Sequence, residues 1–191
     1  MPSVSSGSHR SLLDSPLIRS VDSRADALAA TLRGNVVVDR VMYALSQAAN
    51  HSLLWHGINA VDAASGGPER RRRAVRRSLV LACEQALVNG PVKSLFRRDR
   101  PDHVTDHPHD LRTPLTSSFP SGHASAATCA ATMLSHDLHA APLWWGLASA
   151  VAWSRVHVGA HHASDLLGGA LIGGAAGSAV VAAADRRSPT I

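Results

Sequence analysis

Residues 162–184 read HASDLLGGALIGGAAGSAVVAAA, and Arg186, Arg187 and Pro189 close the stretch. Its apolar run predicts a helix from His162 to about Ala184. Gly169, Gly173 and Gly177 stand at four-residue spacing and therefore share one helix face. In water each interior glycine costs a helix about 1 kcal/mol. In a membrane the same ridge of small residues lets a second helix approach closely. This segment is read as a membrane helix packed tightly against a neighbour.

Five further apolar segments precede it. Residues 36–50 and 52–64 are separated near Asn50 and His51, and Ser65-Gly66-Gly67-Pro68 ends the second. The basic run Arg70, Arg71, Arg72, Arg73, Arg76 and Arg77 is read as a solvated cytosolic loop, and residues 78–95 as the third helix. The polar stretch 97–119, with Pro101, Pro108 and Pro114, is a long loop, a length that usually signals a lid or binding loop. The fourth helix starts at Pro120-Ser121 and runs to about Leu138. The fifth runs from Leu143 to about His157. Several segments fall short of the ~20 residues that span a bilayer. Glu84, Gln85 and Asn89 also interrupt the third.

At the N-terminus, residues 1–15 are rich in Ser, Pro and Gly and are expected to be disordered. From Pro16 to Arg33, Leu17, Val21, Leu28 and Leu32 recur with arginines elsewhere. This is an amphipathic helix, suited to an anionic membrane surface or to packing on the rest of the domain. No secretory signal pattern is visible. The expected fold is all-α: a six-helix membrane-embedded bundle over residues 36–185. An N-terminal amphipathic segment, 1–35, precedes it and a tail, 186–191, follows.

Composition agrees. The 191 residues make one domain, 45% hydrophobic and 17% charged, against about a quarter charged in soluble domains. The net charge of +5 comes mostly from arginine and suits anionic headgroups or phosphate. Aromatics are 4% and do not interleave with the basic runs, so no nucleic-acid partner is expected. Cys83 and Cys129 sit in apolar stretches without a CxxC pattern and are read as buried residues, neither disulfide nor metal pair.

Three constellations carry chemistry. The first is Lys93-Ser94-Leu95-Phe96-Arg97-Arg98-Asp99-Arg100-Pro101. Taken alone it reads equally as a basic helix C-terminus. The second is Pro120-Ser121-Gly122-His123, opening a helix whose free N–H groups can face an anion. Gly122 lets an oxyanion approach the backbone, Ser121 adds a hydroxyl, and His123 follows within reach. The third runs from Ser154-Arg155 to His161 and Asp165. On a helix, His161 and Asp165 would share a face. The carboxylate can then hold one imidazole proton and leave the other nitrogen as nucleophile. Arg155 adds a bidentate phosphate partner.

Taken together, the order is Lys93, six residues, Arg100-Pro101; then Pro120-Ser121-Gly122-His123; then Ser154-Arg155, five residues, His161, three residues, Asp165. This closely resembles the three-part signature of the type 2 phosphatidic acid phosphatase superfamily, which includes bacterial acid phosphatases and vanadium haloperoxidases. The signature spans Lys93 to Asp165 without a departure, and the first 35 residues lie outside it. The resemblance implies that His161 is a nucleophile forming a phosphohistidine and that Asp165 orients it. It implies that His123 is the general acid, then the base that activates water. Lys93, Arg100 and Arg155, with Ser121 and the backbone at Gly122, would hold the phosphoryl oxygens. Three cations would stand where Mg²⁺ acts elsewhere, so no cofactor or metal is expected.

The histidines at 103, 107 and 109, with aspartates at 102, 106 and 110, are read as a solvated or lid segment and not as a metal site. His157 and His162 flank the nucleophile. The expected function is an integral-membrane lipid phosphatase acting on a polyprenyl or phosphatidyl phosphate or diphosphate. By analogy, an Ala- and Arg-rich chain of this kind points to a decaprenyl-phosphoryl phosphoribose. Alternatives are a soluble acid phosphatase or vanadate-dependent haloperoxidase on the same site, or a non-enzymatic phosphate-binding membrane component. Six spans would put both termini, with the arginines at 10–33, 70–77 and 186–187, in the cytosol. The active site would then open on the outer face.

Overall fold

A computed structural model describes residues 13, 15–101 and 116–187. Most of the Ser-rich start, the His/Asp segment 102–115 and the end of the tail therefore lie outside the described residues. The described residues form seven α-helices and no strand: α1 (Pro16–Leu32), α2 (Val36–Ala48), α3 (Leu53–Ala64), α4 (Pro68–Leu87), α5 (Gly122–Leu138), α6 (Ala141–His157) and α7 (Ala163–Arg187).

Local chemistry explains the boundaries. Ser15 caps α1 by accepting from Ile18 N at 3.3 Å, with Pro16 following in the first turn. Asn35 caps α2 by accepting from Val37 N and Val38 N at 3.1 and 3.2 Å. The break between α2 and α3 falls at His51 and Ser52, both left-handed at φ 51° and 60°. Ser121 caps α5, so helix begins at Gly122 and Pro120 precedes the cap instead of opening the first turn.

One element differs from expectation. The arginine run is not a loop: α4 starts at Pro68 and contains all of it. Arginine is a good helix former, and the run finds carboxylates on neighbouring helices. Arg77 is 1% exposed, and its Nε donates to Asn59 Oδ1 at 2.8 Å. Its Nη1 donates to Asp137 Oδ2 at 2.5 Å, and its Nη2 to Asp62. Arg76 joins Asp137 and Arg70 joins Asp62. His136 bridges Asp137 and Asp185. This clasp ties α3, α4, α5 and α7 at one end of the bundle. At its other end α4 unwinds through a π turn, Val88–Val92, that contains Pro91 and delivers Lys93. Cys129 is buried as expected, but Cys83 is exposed on α4.

Helix α5 runs through the centre, and its Ala-rich surface is buried on nearly every side. The glycine ridge of α7 lies directly on it. A Cβ at Gly169 would fall 2.3 Å from Ser121 O, one at Gly173 1.9 Å from Ser125 O, and one at Gly177 2.8 Å from Thr132 Cβ. Large apolar side chains such as Leu79, Leu87, Leu143, Leu167 and Leu171 instead point outward and are exposed.

Helices α1 and α2 do not run end to end. α1 contacts the start of α7 through Asp22 and the end of α6 through Arg33. Asp39 at the start of α2 meets His157, and Asn50 just after α2 meets His123. Both helices therefore lie at the end opposite the Arg77 clasp, and only α3–α7 connect the two ends. Arg33 at the end of α1 thus lies at the site end of the bundle and Arg70–Arg77 at the clasp end. The expected apolar stripe of α1, Leu17, Val21, Leu28 and Leu32, faces outward. Among the described residues, one helix, Ala163–Arg186, is long and apolar enough by itself to cross a membrane.

The glycine contact yields a paired test. Gly173→Ala must push a methyl into the Ser125 carbonyl and should destabilise the protein by about 1–3 kcal/mol, the range for overpacking. Gly174 has nothing within 4 Å of its Cβ position. Gly174→Ala should be neutral or raise stability by up to about 1 kcal/mol through helix propensity. Thermal melts of the two variants in detergent measure the contrast.

Candidate active site

The site is assembled where α4 and α6 end and α5 and α7 begin. Arg155 lies in the last turn of α6, 7% exposed, and its Nη1 donates to Ser46 Oγ. Past His157 the chain reverses at Gly159, whose φ of +66° suits glycine. Ala160 N and His161 N then both donate to Arg155 O, at 2.9 and 3.2 Å. His161 is thereby suspended over the end of α6. It precedes α7, so it and Asp165 meet across a helix start and not along one helix face. Asp165 sits in the first turn, and its Oδ2 accepts from His162 N at 2.9 Å, half of a capping box. The same Oδ2 faces His161 Nδ1 at 3.5 Å, longer than an ordinary hydrogen bond. The opposite nitrogen, Nε2, faces Arg100 Nη1, also at 3.5 Å.

Arg100 is anchored by donating to Ala160 O at 2.7 Å. Among the described residues, Arg100 Nε and Arg155 Nε are buried without a partner. Lys93 is 7% exposed and within electrostatic reach of Arg100, Arg155 and Asp165. The first turn of α5 completes the cluster. Ser121 N donates to Asp165 O at 3.0 Å, fixing the two helix starts side by side. Ser121 Oγ accepts from Ala124 N at 3.4 Å. A Cβ at Gly122 would fall 2.6 Å from Asn89 Oδ1, so the start of α5 lies against the end of the Asn89 side chain. His123 lies within electrostatic reach of Arg155, His161 and Lys93, and its Nε2 is 3.0 Å from Asn50 Oδ1.

All eight residues singled out by spacing thus fall in one region. Four partners were not visible in the sequence. Asn50 stood at an expected helix break and Arg98 within the quoted basic run, but neither carried a distinguishing signal. Ser46 and Asp22 carried none. Arg98 Nη1 donates to Asp165 Oδ1 at 2.5 Å and its Nη2 to Asp22 Oδ2 at 2.6 Å. His157 is committed elsewhere: it is buried, with Nε2 2.7 Å from Asp39 Oδ1.

Electrostatics favour a neutral imidazole. Burial pulls His161 from 6.5 down to about 3, and Arg155 and Arg100 add to this while Asp165 opposes it. Burial also lowers Arg100, which Asp165 partly offsets. A neutral imidazole with a fixed carboxylate on one side and guanidinium groups on the other can attack an anion that the cations hold. The described cations exceed their local carboxylates, which suits a dianion.

Residues 74–189 match the family model of the PAP2 superfamily. The chain belongs to that superfamily. It is a phosphoric ester hydrolase. It is 34% identical over 152 residues to the decaprenylphosphoryl-5-phosphoribose phosphatase of Mycolicibacterium smegmatis, covering 79% of this chain and 82% of that one. It is 37% identical over 89 residues to the protein of the same name in Mycobacterium tuberculosis, covering 47% and 49%. The fold is similar to that of a transmembrane PAP2 type phosphatidylglycerolphosphate phosphatase from Bacillus subtilis. The TM-score there is 0.71 at 22% identity, over 94% of this chain and 91% of the other.

The depressed His161 value sets a stability test. Between pH 6.5 and about 3 the unfolded chain binds a proton at this residue and the folded one does not. Stability therefore rises with pH through that window and is lost as pH falls. His161→Ala removes this contribution. Its melting temperature should drop less than the wild-type value when the pH is lowered from about 7 to about 5.

Proposed function

We propose that this protein is a membrane-embedded phosphatase that hydrolyses a polyprenyl-type lipid phosphomonoester through a phosphohistidine, without a metal. The observation that carries this reading is the placement of buried His161 between Asp165 and Arg100, with Lys93, Arg155 and His123 around it. His161 Nε2 attacks phosphorus in line, and Lys93, Arg100 and Arg155 take the charge on the phosphoryl oxygens. The lone pair of Nε2 forms the N–P bond while the ester P–O bond breaks. The leaving alkoxide takes a proton from His123. His123 then removes a proton from water, hydroxide attacks phosphorus, and the N–P bond breaks to release phosphate and restore His161.

The two mycobacterial relatives support the substrate class, a decaprenylphosphoryl-5-phosphoribose or a close analogue. So does an apolar groove of about 480 Å³ between α4 and α7. Leu79, Leu87, Val88 and Val92 line it on one side and Ile172 and Val180 on the other. Val92 adjoins Lys93, so the groove leads towards the phosphoryl cations. The outward apolar faces and the glycine ridge support a multi-pass arrangement in which α3–α7 cross the bilayer. The α1 stripe would rest on its surface. Arginines lie at both ends, Arg70–Arg73 and Arg186 at the far end and Arg19, Arg24 and Arg33 at the site end; we take the denser run, Arg70–Arg73, as the cytosolic one, so the site opens on the outer face.

Phosphate release from a panel of lipid phosphates by detergent-purified protein tests the reading. Activity should survive EDTA and be blocked by vanadate, which adopts the shape of the transition state. His161→Ala should abolish turnover. His123→Ala should lose about 10²–10⁴-fold on alkyl esters and less on nitrophenyl phosphate, whose leaving group needs no acid. Turnover in His161→Ala, or chelation that stops activity with Mg²⁺ restoring it, refutes the mechanism.

Sidedness has its own test, in a background lacking Cys83 and Cys129. An impermeant thiol reagent on intact cells should label Leu95→Cys and not Gly67→Cys. The reverse pattern places the site on the cytosolic leaflet.

A further inference from the structure

Asp165 can orient His161 only if its own carboxylate is held. Oδ2 is occupied by His162 N and turned towards His161 Nδ1. Oδ1 accepts from Arg98 Nη1 at 2.5 Å. Arg98 is itself gripped from the other side: Nη1 donates to Ser164 Oγ at 2.7 Å and Nη2 to Asp22 Oδ2 at 2.6 Å. Asp22 comes from the middle of α1 and is 8% exposed. Its Oδ1 accepts from Ser164 N at 2.8 Å and its Oδ2 from Ser164 Oγ at 2.9 Å. The Ser164 N–H belongs to the first turn of α7, where helix donors have no intrahelical acceptor. Asp22 therefore supplies a cap from a distant helix and clamps Arg98 with the same carboxylate.

The chain of contacts runs Asp22, Arg98, Asp165, His161. The guanidinium stands between two buried carboxylates with its side chain 14% exposed. An arginine suits this place because its planar fork satisfies both partners at once, which a single ammonium cannot do with the same geometry. Both terminal nitrogens of Arg98 are engaged by Ser164, Asp165 and Asp22, so its guanidinium is turned to these partners and away from the phosphate grip of Lys93, Arg100 and Arg155.

We propose that Arg98 and Asp22 are positioning residues for phosphoryl transfer. Arg98 fixes the rotamer and charge of Asp165, and Asp22 fixes Arg98, so that α1 becomes part of the machinery that aims the nucleophile. This rests on the reading of His161 as nucleophile. A purely structural staple would scale all functions of the site together. A positioning role slows formation of the N–P bond and spares phosphate binding.

The test uses full-length protein in detergent, with two readouts: the single-turnover rate of acid-labile phosphoenzyme formation, and vanadate titration. Arg98→Ala should slow phosphoenzyme formation about 10- to 100-fold, by analogy with the loss of outer partners that orient metal-bound histidines. It should bind vanadate with wild-type affinity and stoichiometry, and added guanidinium should restore part of the rate. Arg98→Lys and Asp22→Asn, milder changes that retain a polar group at each position, should slow the same step by less. A wild-type rate in Arg98→Ala overturns the proposal. So does a loss in all three variants that merely tracks the fraction no longer binding vanadate. If wild-type protein forms no phosphoenzyme, or His161→Ala still forms it, the proposed mechanism fails instead.

Discussion

The backbone contact between α5 and α7 is the constraint on which the rest depends. Glycines at 169, 173 and 177 let the helices approach until α7 touches carbonyl oxygens and side chains of α5. That closeness continues one turn higher as the bond from Ser121 N to Asp165 O. Both helices start at the same end, so two N-termini, with their free N–H groups and positive dipole ends, face one small region. The helices that finish there, α4 and α6, bring Lys93 and Arg155. A phosphate site follows from packing: two helix starts supply oriented dipoles, and two helix ends supply long cations.

The two ends of the bundle handle buried charge differently, and the contrast separates structure from chemistry. At the far end Arg77 is met by Asp62 and Asp137, so its charge is neutralised within the protein. Such a pair fixes geometry more than it adds stability, because desolvation offsets much of the attraction. At the site end, among the described residues, Lys93, Arg100 and Arg155 gather around Asp165, and that carboxylate is already shared with Arg98, whose other side meets Asp22. Buried cations without internal partners are costly unless an anion completes them. Functional sites are where such imbalance is retained.

The two ends were unequally legible in the sequence. Short-range chemistry was readable: the break near His51, the four-residue glycine spacing, and the intervals joining Lys93 to Asp165. The errors arose where long-range partners decide. Arg70–Arg77 read as a loop because six arginines look solvated, yet Asp62 and Asp137 convert them to helix and bury Arg77. The contacts of Asp39 with His157 and of Asn50 with His123 are likewise long-range and left no local trace. Asp22 lies 142 positions from Ser164, and no local pattern can report a bond across that distance. Cys83 read as buried because its neighbours are apolar, but the outward face of α4 is apolar too.

In the proposed attack, the charge on each partner changes in opposite directions. His161 gives its Nε2 lone pair to phosphorus and keeps the proton on Nδ1, so the ring becomes cationic. The phosphoryl oxygens meanwhile carry the charge of the transition state. A buried ring that is hard to protonate in the free enzyme is therefore required to become positive during the reaction. Asp165 is the only carboxylate placed against it among the described residues. It stabilises that charge best when already ionised and fixed, since a preoriented group needs no reorganisation as the charge develops. Arg98 secures both conditions from behind, where it cannot compete with His161 for the same oxygen. Oδ1 is given to the guanidinium, while Oδ2, which accepts from His162 N, faces the imidazole. The division of one carboxylate between a permanent cation and a transient one couples the surface helix α1 to the moment of bond formation.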